Sequence, residues 1–429
     1  MTTTITLTSI DCGVEFLMHL PDLKGQTVLM AVSGGLDSCT ITHWLNAHGV
    51  NVIAYTADLG QPDEEDIEDV RTRMLASGAR EMMVVDLKPA IAQAGFQLVQ
   101  SGARYEGGYW NTTGIARHVV VAGMVPEMQR RGIHILGHGC TGRGNDQIRF
   151  ELASQMLDPK IQVYAPWRDD AFLQQFGGRK EMIAYCQQHD IPVKATLSKP
   201  YSTDANVLGL THEAGELESL QTPASRVDPG MGVFPAEAPA DAQRVTIRFD
   251  KGVPTAIDGE RLGAFDMVVA ANRIGGAHGI GIGLHAVENR FVGIKSRGIY
   301  EAPGLELLSR SYEFLLQLIL DRRSRRLYDQ VSTWIAEQIY QGYWFDPATQ
   351  ACRDFVDRFS QLGTGTVTVS LYKGNVLYES IVDAPNSLYS EEAASMEDVG
   401  EFDHRDSQGF VGVLGVSARA LHTAGQISG

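Results

Sequence analysis

The first 190 residues alternate short apolar runs with amphipathic segments of helical length, and this rhythm limits the fold more than any other feature of the chain. The apolar runs occupy residues 27–32, 51–57, 81–87 and 133–137. Between the first two runs, Ile41, Trp44 and Leu45 follow the i, i+3, i+4 spacing of a helix with one apolar face. Strands separated by helices pair in parallel and bury both faces of their sheet. The sequence therefore predicts a doubly wound α/β domain over residues 1–190.

The pattern changes after about residue 192, where a loop-rich stretch begins. The later signals are alternating runs at 245–249, 253–256, 367–372 and 375–379 and an apolar pattern of helical spacing at 304–341. The last of these exceeds the length of one typical globular helix, which favours two helices or one bent helix. We expect an α+β domain over 191–405 and a C-terminal tail over 406–429.

Charge and composition exclude several classes of function. With 52 acidic and 36 basic residues the net charge is −16, which disfavours nucleic acid and anionic membranes as partners. No apolar stretch approaches the roughly 20 residues of a spanning helix, and the N-terminus lacks the basic start and apolar core of a secretory signal. Five scattered cysteines form no CxxC pair, so we expect free thiols, no metal bound by the protein, and a cytoplasmic location.

A glycine-rich motif, SGGLDS, occupies residues 33–38 directly after the first predicted strand and before the first helix. Its glycines let backbone amides approach a phosphate, its serines add hydroxyl groups, and the helix N-terminus attracts the anion. The motif lacks the lysine of a GxxxxGK[ST] loop, so kinase-type phosphoryl transfer is not indicated. The loop resembles that of the N-type ATP pyrophosphatases, which implies attack on the α-phosphorus of ATP.

A second glycine-rich loop, GHGCTGRGNDQIRF at 137–150, follows the fourth predicted strand. Ligands of open α/β sheets bind at this carboxyl edge. Arg143 supplies positive charge, and Asn145, Asp146 and Arg149 offer groups that suit the ammonium and carboxylate of an amino acid. The loop therefore indicates an amino-acid substrate beside the nucleotide.

Further segments extend the match: YTADLGQ at 55–61, APW at 165–167, VENR at 287–290 and KSRGIYE at 295–301. Together with the two loops, they make the chain resemble the argininosuccinate synthase family over roughly residues 27–415. The resemblance implies an ATP-dependent ligase of arginine biosynthesis that condenses citrulline with aspartate through a citrulline-adenylate. It also implies release of AMP and pyrophosphate, Mg²⁺ bound with the ATP, and a homotetramer.

The resemblance also implies a role for individual residues, with no protein nucleophile. ATP would be bound by Ala31, Val32, Ser33, Gly34, Gly35, Leu36, Asp37, Ser38, Cys39, Ala57, Gly139 and Thr141. Aspartate would be bound by Thr141, Asn145 and Asp146. Citrulline would be bound by Tyr109, Thr113, Asn145, Arg149, Ser202, Thr211, Glu213, Glu288 and Tyr300.

Two positions depart from the usual SGGLDTS of the family, because Ser38 replaces threonine and Cys39 replaces serine. A thiol at a helix N-terminus has its thiolate favoured by the positive field, which would make the loop sensitive to alkylation. The alternative is an inert, packed cysteine. Two other functions stay open: a ligase of this fold that acts on another ureido or guanidino substrate, and an inactive ATP-binding scaffold.

Overall fold

A computed structural model describes residues 18–64, 66–193, 200–395, 397 and 403–427. The segment on which the absence of a secretory signal was predicted, residues 1–17, lies outside the described residues. The first part of the chain forms a five-stranded parallel sheet with strand order β3-β2-β1-β4-β5. Its strands are β1 (Thr27–Ala31), β2 (Asn51–Asp58), β3 (Glu81–Asp86), β4 (Ile135–His138) and β5 (Gln162–Tyr164).

Helices cover both faces of this sheet because successive strand residues point to opposite sides. Val28 and Met30 contribute to one buried cluster, while Leu29 between them contributes to the other. The first part of the chain contains α1 (Leu20–Leu23), α2 (Leu36–Ala47), α3 (Ile67–Ala76), α4 (Lys88–Ser101), α5 (Thr112–Arg131), α6 (Asp146–Leu157), α7 (Asp170–Gln175) and α8 (Arg179–Gln188). Residues of α2, α3 and α8 pack on the side of Val28, and residues of α4, α5 and α6 on the side of Leu29. The predicted doubly wound α/β sheet is confirmed.

The second part of the chain contains two antiparallel sheets. The four-stranded sheet, order β11-β12-β7-β6, consists of β6 (Ser202–Asn206), β7 (Gly209–Glu213), β11 (Leu284–Asn289) and β12 (Lys295–Glu301). The five-stranded sheet, order β10-β9-β8-β13-β14, consists of β8 (Gln243–Asp250), β9 (Val253–Ile257), β10 (Glu260–Arg261), β13 (Gly365–Tyr372) and β14 (Asn375–Val382). Lys373 and Gly374, with φ of 46° and 81°, form the tight turn between β13 and β14. The predicted α+β character is confirmed.

The remaining helices are α9 (Ala264–Ala277), α10 (Pro303–Ile319), α11 (Arg322–Gln341), α12 (Pro347–Ser360), α13 (Glu391–Ala394) and α14 (His404–Thr423). The long helical pattern thus consists of two helices, and Asp321 caps the second by accepting a 2.8 Å hydrogen bond from the Ser324 amide. The segment predicted as a tail contains α14, which buries none of its residues. Within the described part of the chain, no helix has the length and hydrophobicity needed to cross a membrane.

Candidate active site

A cavity of about 680 Å³ lies at the carboxyl edge of the parallel sheet and extends to the four-stranded antiparallel sheet. Loops after β1, β2 and β4 form one side, and residues of β6, β7, β11 and β12 form the other. This is the edge at which open α/β sheets bind ligands. The site is therefore assembled from both parts of the chain.

The SGGLDS loop forms one end of the cavity, and its two serines hold its shape. Ser38 Oγ accepts a 3.0 Å hydrogen bond from the Ser33 amide and lies 3.4 Å from Ser33 Oγ. Asp37 Oδ1 accepts a 3.1 Å hydrogen bond from the indole of Trp167, and burial raises the pKa of this carboxyl group. Gly35 precedes α2 as its N-cap residue, so the free amides of the first helical turn lie at this end of the cavity.

The reverse side of the same loop packs against α3. Gly34 has a φ of +70°, and a Cβ atom there would lie 2.8 Å from Val70 Cγ1. The Gly34 carbonyl accepts a hydrogen bond from the buried guanidinium of Arg73. Arg73 in turn donates a 3.1 Å hydrogen bond to Glu64 Oε2. Glycine at position 34 and the arginine behind it therefore fix the path of the loop.

The second glycine-rich loop connects β4 to α6 beside the first. The Gln147 amide donates to the carbonyl of Gly142 at 2.5 Å and to that of Gly144 at 3.2 Å, which closes the loop on itself. Asn145, buried at the start of α6, accepts a 3.0 Å hydrogen bond through Oδ1 from the Phe291 amide. Because Phe291 belongs to the β11–β12 connection, this bond joins the second loop to the antiparallel sheet.

Two arginines and two aspartates form a charged cluster between the loops. Arg117 of α5 donates to Asp146 Oδ2 at 3.1 Å and also contacts Asp204 of β6. Arg149, one turn after Asp146, donates to Asp146 Oδ1 at 2.7 Å. Burial opposes ionisation of Asp146, but the two arginines outweigh it and lower its pKa to about 2. Asp204, which contacts only Arg117 in this cluster, has a pKa raised by burial.

A carboxylate surrounded by tyrosines forms the far end of the cavity. Alternation along β11 turns Glu288 inward, and its side chain accepts hydrogen bonds from the hydroxyls of Tyr300 and Tyr340, the latter at 2.7 Å. Burial raises the pKa of Glu288, and the two hydroxyl donors partly offset this effect. Tyr109 stacks on Tyr300 with ring centroids 4.1 Å apart. This end of the cavity suits a cationic group such as an ammonium.

Threonine and glutamate side chains line the wall between the two ends. The hydroxyls of Thr113 and Thr211 lie 3.1 Å apart, which joins α5 to β7. Glu213 accepts a 3.4 Å contact from Arg290, and burial raises the pKa of this carboxyl group. The cavity thus carries the amides of a helix N-terminus at one end and paired charges toward the other.

Comparison with known proteins gives the same family for both parts of the chain. The family model described as the arginosuccinate synthase N-terminal HUP domain matches residues 27–192, and the one described as the C-terminal domain matches residues 201–421. The argininosuccinate synthase of Rhodopirellula baltica is 40% identical over 92% of this chain and 97% of its own length. The chain belongs to the argininosuccinate synthase family. Relatives from Nitratidesulfovibrio vulgaris (40% identity, 91% of this chain, 96% of theirs) and Danio rerio (38%, 91%, 95%) carry the same name.

Most of the residues that the argininosuccinate synthase resemblance selected line this one cavity. The exceptions are Gly34, Leu36, Cys39 and Ser202. Leu36 is buried in the core beneath the loop, and Ser202 is exposed at the start of β6, whereas the following Thr203 and Asp204 line the cavity. The assignment of each residue to a particular substrate stays a prediction.

The side chain of Cys39 is packed in the core beneath the loop. It is 0% exposed, its Sγ lies 3.6 Å from the Gly34 carbonyl, and it does not line the cavity. Burial raises the pKa of the Cys39 thiol, which disfavours its thiolate. The packing of Cys39 therefore favours the inert alternative, and its reactivity toward alkylating agents stays a prediction.

Sequence reasoning missed several residues of the synthase cavity. Arg117, Asp204, Arg290 and Tyr340 line it, yet none was selected as a site residue. Arg290 lies within the VENR segment at 287–290, so its charge was an available signal. Tyr340 lies near the end of a long amphipathic helix, where an aromatic residue indicates only packing.

Proposed function

We propose that this chain condenses citrulline with aspartate at the expense of ATP, giving argininosuccinate, AMP and pyrophosphate. Family membership supports the reaction. The observation that carries the proposal at the site is that one cavity joins the SGGLDS loop to the Asp146–Arg149 pair and to Glu288. A nucleotide and two amino acids can then meet without leaving the protein, which supplies the orientation that such a reaction needs.

The first step activates the ureido group. The ureido oxygen of citrulline attacks the α-phosphorus, the new O–P bond forms, and the bond from the α-phosphorus to the bridging oxygen breaks as pyrophosphate leaves with the electron pair. The amides and hydroxyls around Ser33, Gly35 and Ser38 stabilise the charge that develops on pyrophosphate. Gly139 and Thr141 hold the nucleotide from the opposite side.

The second step forms the carbon–nitrogen bond. The aspartate ammonium loses one proton to water, and the neutral amine attacks the ureido carbon. The C–O bond to AMP breaks, so the former ureido oxygen leaves with the electron pair as part of AMP, and the proton from the new C–N nitrogen stays on the guanidino group of the product. Thr141, Asn145 and Asp146 bind aspartate in this proposal, and Asp146 stays ionised because Arg117 and Arg149 flank it. Glu288 binds the citrulline ammonium, and Arg149 lies where it can reach the citrulline carboxylate.

Mg²⁺ accompanies the ATP in this proposal. The described residues contain no group of three or more histidine, cysteine, aspartate or glutamate side chains placed to hold a metal. The ion would therefore be held mainly by phosphate oxygens and water, with Asp37 as the carboxylate of the loop. When bound, it neutralises charge on the phosphates and so helps pyrophosphate leave.

We further propose a cytoplasmic homotetramer in which residues 1–190 form the ATP-binding domain, residues 191–405 form the synthetase and oligomerisation domain, and the tail at 406–429 extends to a neighbour. The exposed apolar side chains of α14 support the last point, since Phe410 and Val413 are 67% and 73% exposed. The described cysteines are free thiols, as in a reducing compartment.

A substrate panel tests the proposed function. Pyrophosphate release is measured with ATP, Mg²⁺, aspartate and either citrulline, another ureido compound or a guanidino compound. We expect release with citrulline and little with the others. Preference for another compound would identify a ligase with an exchanged substrate, and no release with any compound would indicate an inactive scaffold.

A further inference from the structure

Tyr340 joins the two charged groups that we place on the amino-acid substrate. It lies near the end of α11, is 2% exposed and lines the cavity. Its carbonyl oxygen accepts hydrogen bonds from Arg149 Nε at 3.0 Å and Nη2 at 2.8 Å. Its hydroxyl donates to Glu288 Oε2 at 2.7 Å. One residue therefore contacts a cation of α6 and an anion of β11.

The Tyr340 ring is itself held firmly in place. It stacks on Tyr105 with centroids 3.7 Å apart and planes 11° from parallel, and the Arg149 guanidinium carbon lies 5.1 Å from its centroid. The Tyr105 hydroxyl donates to the Asn289 carbonyl at 2.8 Å, next to Glu288 in the chain. Because the ring is stacked and the hydroxyl is hydrogen-bonded, neither group of Tyr340 can move without breaking a contact. Tyr340 therefore holds its neighbours at fixed positions.

We propose that Tyr340 is a positioning and specificity-determining residue, which sets the spacing of Arg149 and Glu288 to match the carboxylate and ammonium of one α-amino acid. The inference rests on the proposed function, in which that amino acid is citrulline. Tyr340 acts through its neighbours and not on the reacting phosphorus or carbon. Its loss should therefore alter the use of citrulline far more than the use of ATP or aspartate.

The hydroxyl group of Tyr340 also helps to keep Glu288 ionised. Tyr300 from β12 donates to the other carboxylate oxygen of Glu288. Among the groups that interact with Glu288, Arg149 and Arg290 favour its charged form.

The remaining neighbours do not replace this donor. Glu213 is a second, half-exposed acid of the cavity, and its charge is disfavoured by that of Glu288. Burial raises the pKa of Tyr109 to about 12 and that of Tyr105 to about 12, so both stay neutral. Removing the Tyr340 hydroxyl therefore raises the Glu288 pKa further. A protonated Glu288 cannot pair with an ammonium, so the defect should grow as pH falls.

The test compares Tyr340→Phe with Tyr328→Phe. Tyr328 lies on the same helix, is also buried and also donates a hydrogen bond, but to the Gln100 carbonyl outside the cavity. We expect Tyr340→Phe to raise the KM for citrulline by about 10-fold at pH 8 and by more at pH 6, as for loss of a hydrogen bond to a charged group. The KM values for ATP and aspartate should change less than about 2-fold, and Tyr328→Phe should leave all three near those of the wild type.

A double-mutant cycle with Glu288→Gln distinguishes an effect of Tyr340 on the position of Glu288 from a general loss of structure. If Tyr340 acts through Glu288, adding Tyr340→Phe to Glu288→Gln should have little further effect on citrulline. Measuring the affinity for citrulline by calorimetry allows the same comparison of the single and double variants without the reaction taking place. An equal rise in all three KM values, an unchanged citrulline KM, or full additivity in the cycle would overturn the inference. A wild type that binds none of the three substrates would instead contradict the proposed function.

Discussion

Among single residues, the pairing of Asp146 with Arg149 matters most to the proposed amino-acid site. Both oxygens of Asp146 accept hydrogen bonds from guanidinium groups, and Arg149 also donates to the Tyr340 carbonyl. We expect Asp146→Asn to lower kcat/KM for aspartate by about 10- to 100-fold, because it removes the negative charge opposite an ammonium. We expect Arg149→Leu to act mainly on citrulline. Steady-state kinetics with each amino acid varied separately checks both, and unchanged constants for both amino acids in Arg149→Leu would contradict the assignment.

Cys39 gives a second prediction at this scale. Because its thiol is fully buried and its pKa is raised, iodoacetamide at neutral pH should not label it in the folded protein. Cys39→Ser should keep most of its activity. Peptide mass spectrometry after labelling, with Cys140→Ser as the control for the second loop, measures the modified sites. Labelling of Cys39 with matching loss of activity and protection by ATP would show that the thiol is accessible after all.

At the scale of elements, substitutions at two adjacent glycines of the SGGLDS loop should separate an effect on stability from an effect on ATP binding. Gly34→Ala should destabilise the protein by about 1 to 3 kcal/mol, because an alanine there is strained at φ +70° and collides with Val70. Gly35→Ala meets only Ser33 Oγ at 3.4 Å, so it should cost less than about 1 kcal/mol while raising the KM for ATP. Urea unfolding and ATP kinetics on both variants test this. Equal losses of stability would contradict the packing described for Gly34.

The order of the strands and helices and the location of the candidate active site could be predicted from the sequence, because both depend on local patterns of residues. The predicted strand at 51–57 is observed at Asn51–Asp58, and the alternating runs at 245–249, 253–256, 367–372 and 375–379 lie in β8, β9, β13 and β14. The C-terminal α14 escaped prediction because Gly409, Gly412 and Gly415 lower its helix propensity. The contacts of Arg117 with Asp146 and Asp204 could not be predicted from the sequence either, because they join residues 29 and 87 positions apart. Only the three-dimensional packing of α5 against α6 and β6 brings them together.

At the scale of the whole molecule, the exposed face of α14 predicts assembly. Phe410 and Leu414, four residues apart, are 67% and 57% exposed, and such a face is buried more favourably against another chain. Light scattering should give four times the chain mass of 46.8 kDa. Phe410→Asp combined with Leu414→Asp should reduce the assembly, whereas the exposed Gln408→Asp should not. A mass of one chain for the wild type at micromolar protein would refute the tetramer.

The central claim for the whole molecule is that the ureido oxygen attacks the α-phosphorus of ATP. The most direct measurement supplies citrulline labelled with ¹⁸O in its ureido group, together with ATP and aspartate, and analyses the products by mass spectrometry. We expect that AMP carries the label, that pyrophosphate is unlabelled and that one argininosuccinate forms for each AMP. Formation of ADP, or of AMP without the label, would contradict it.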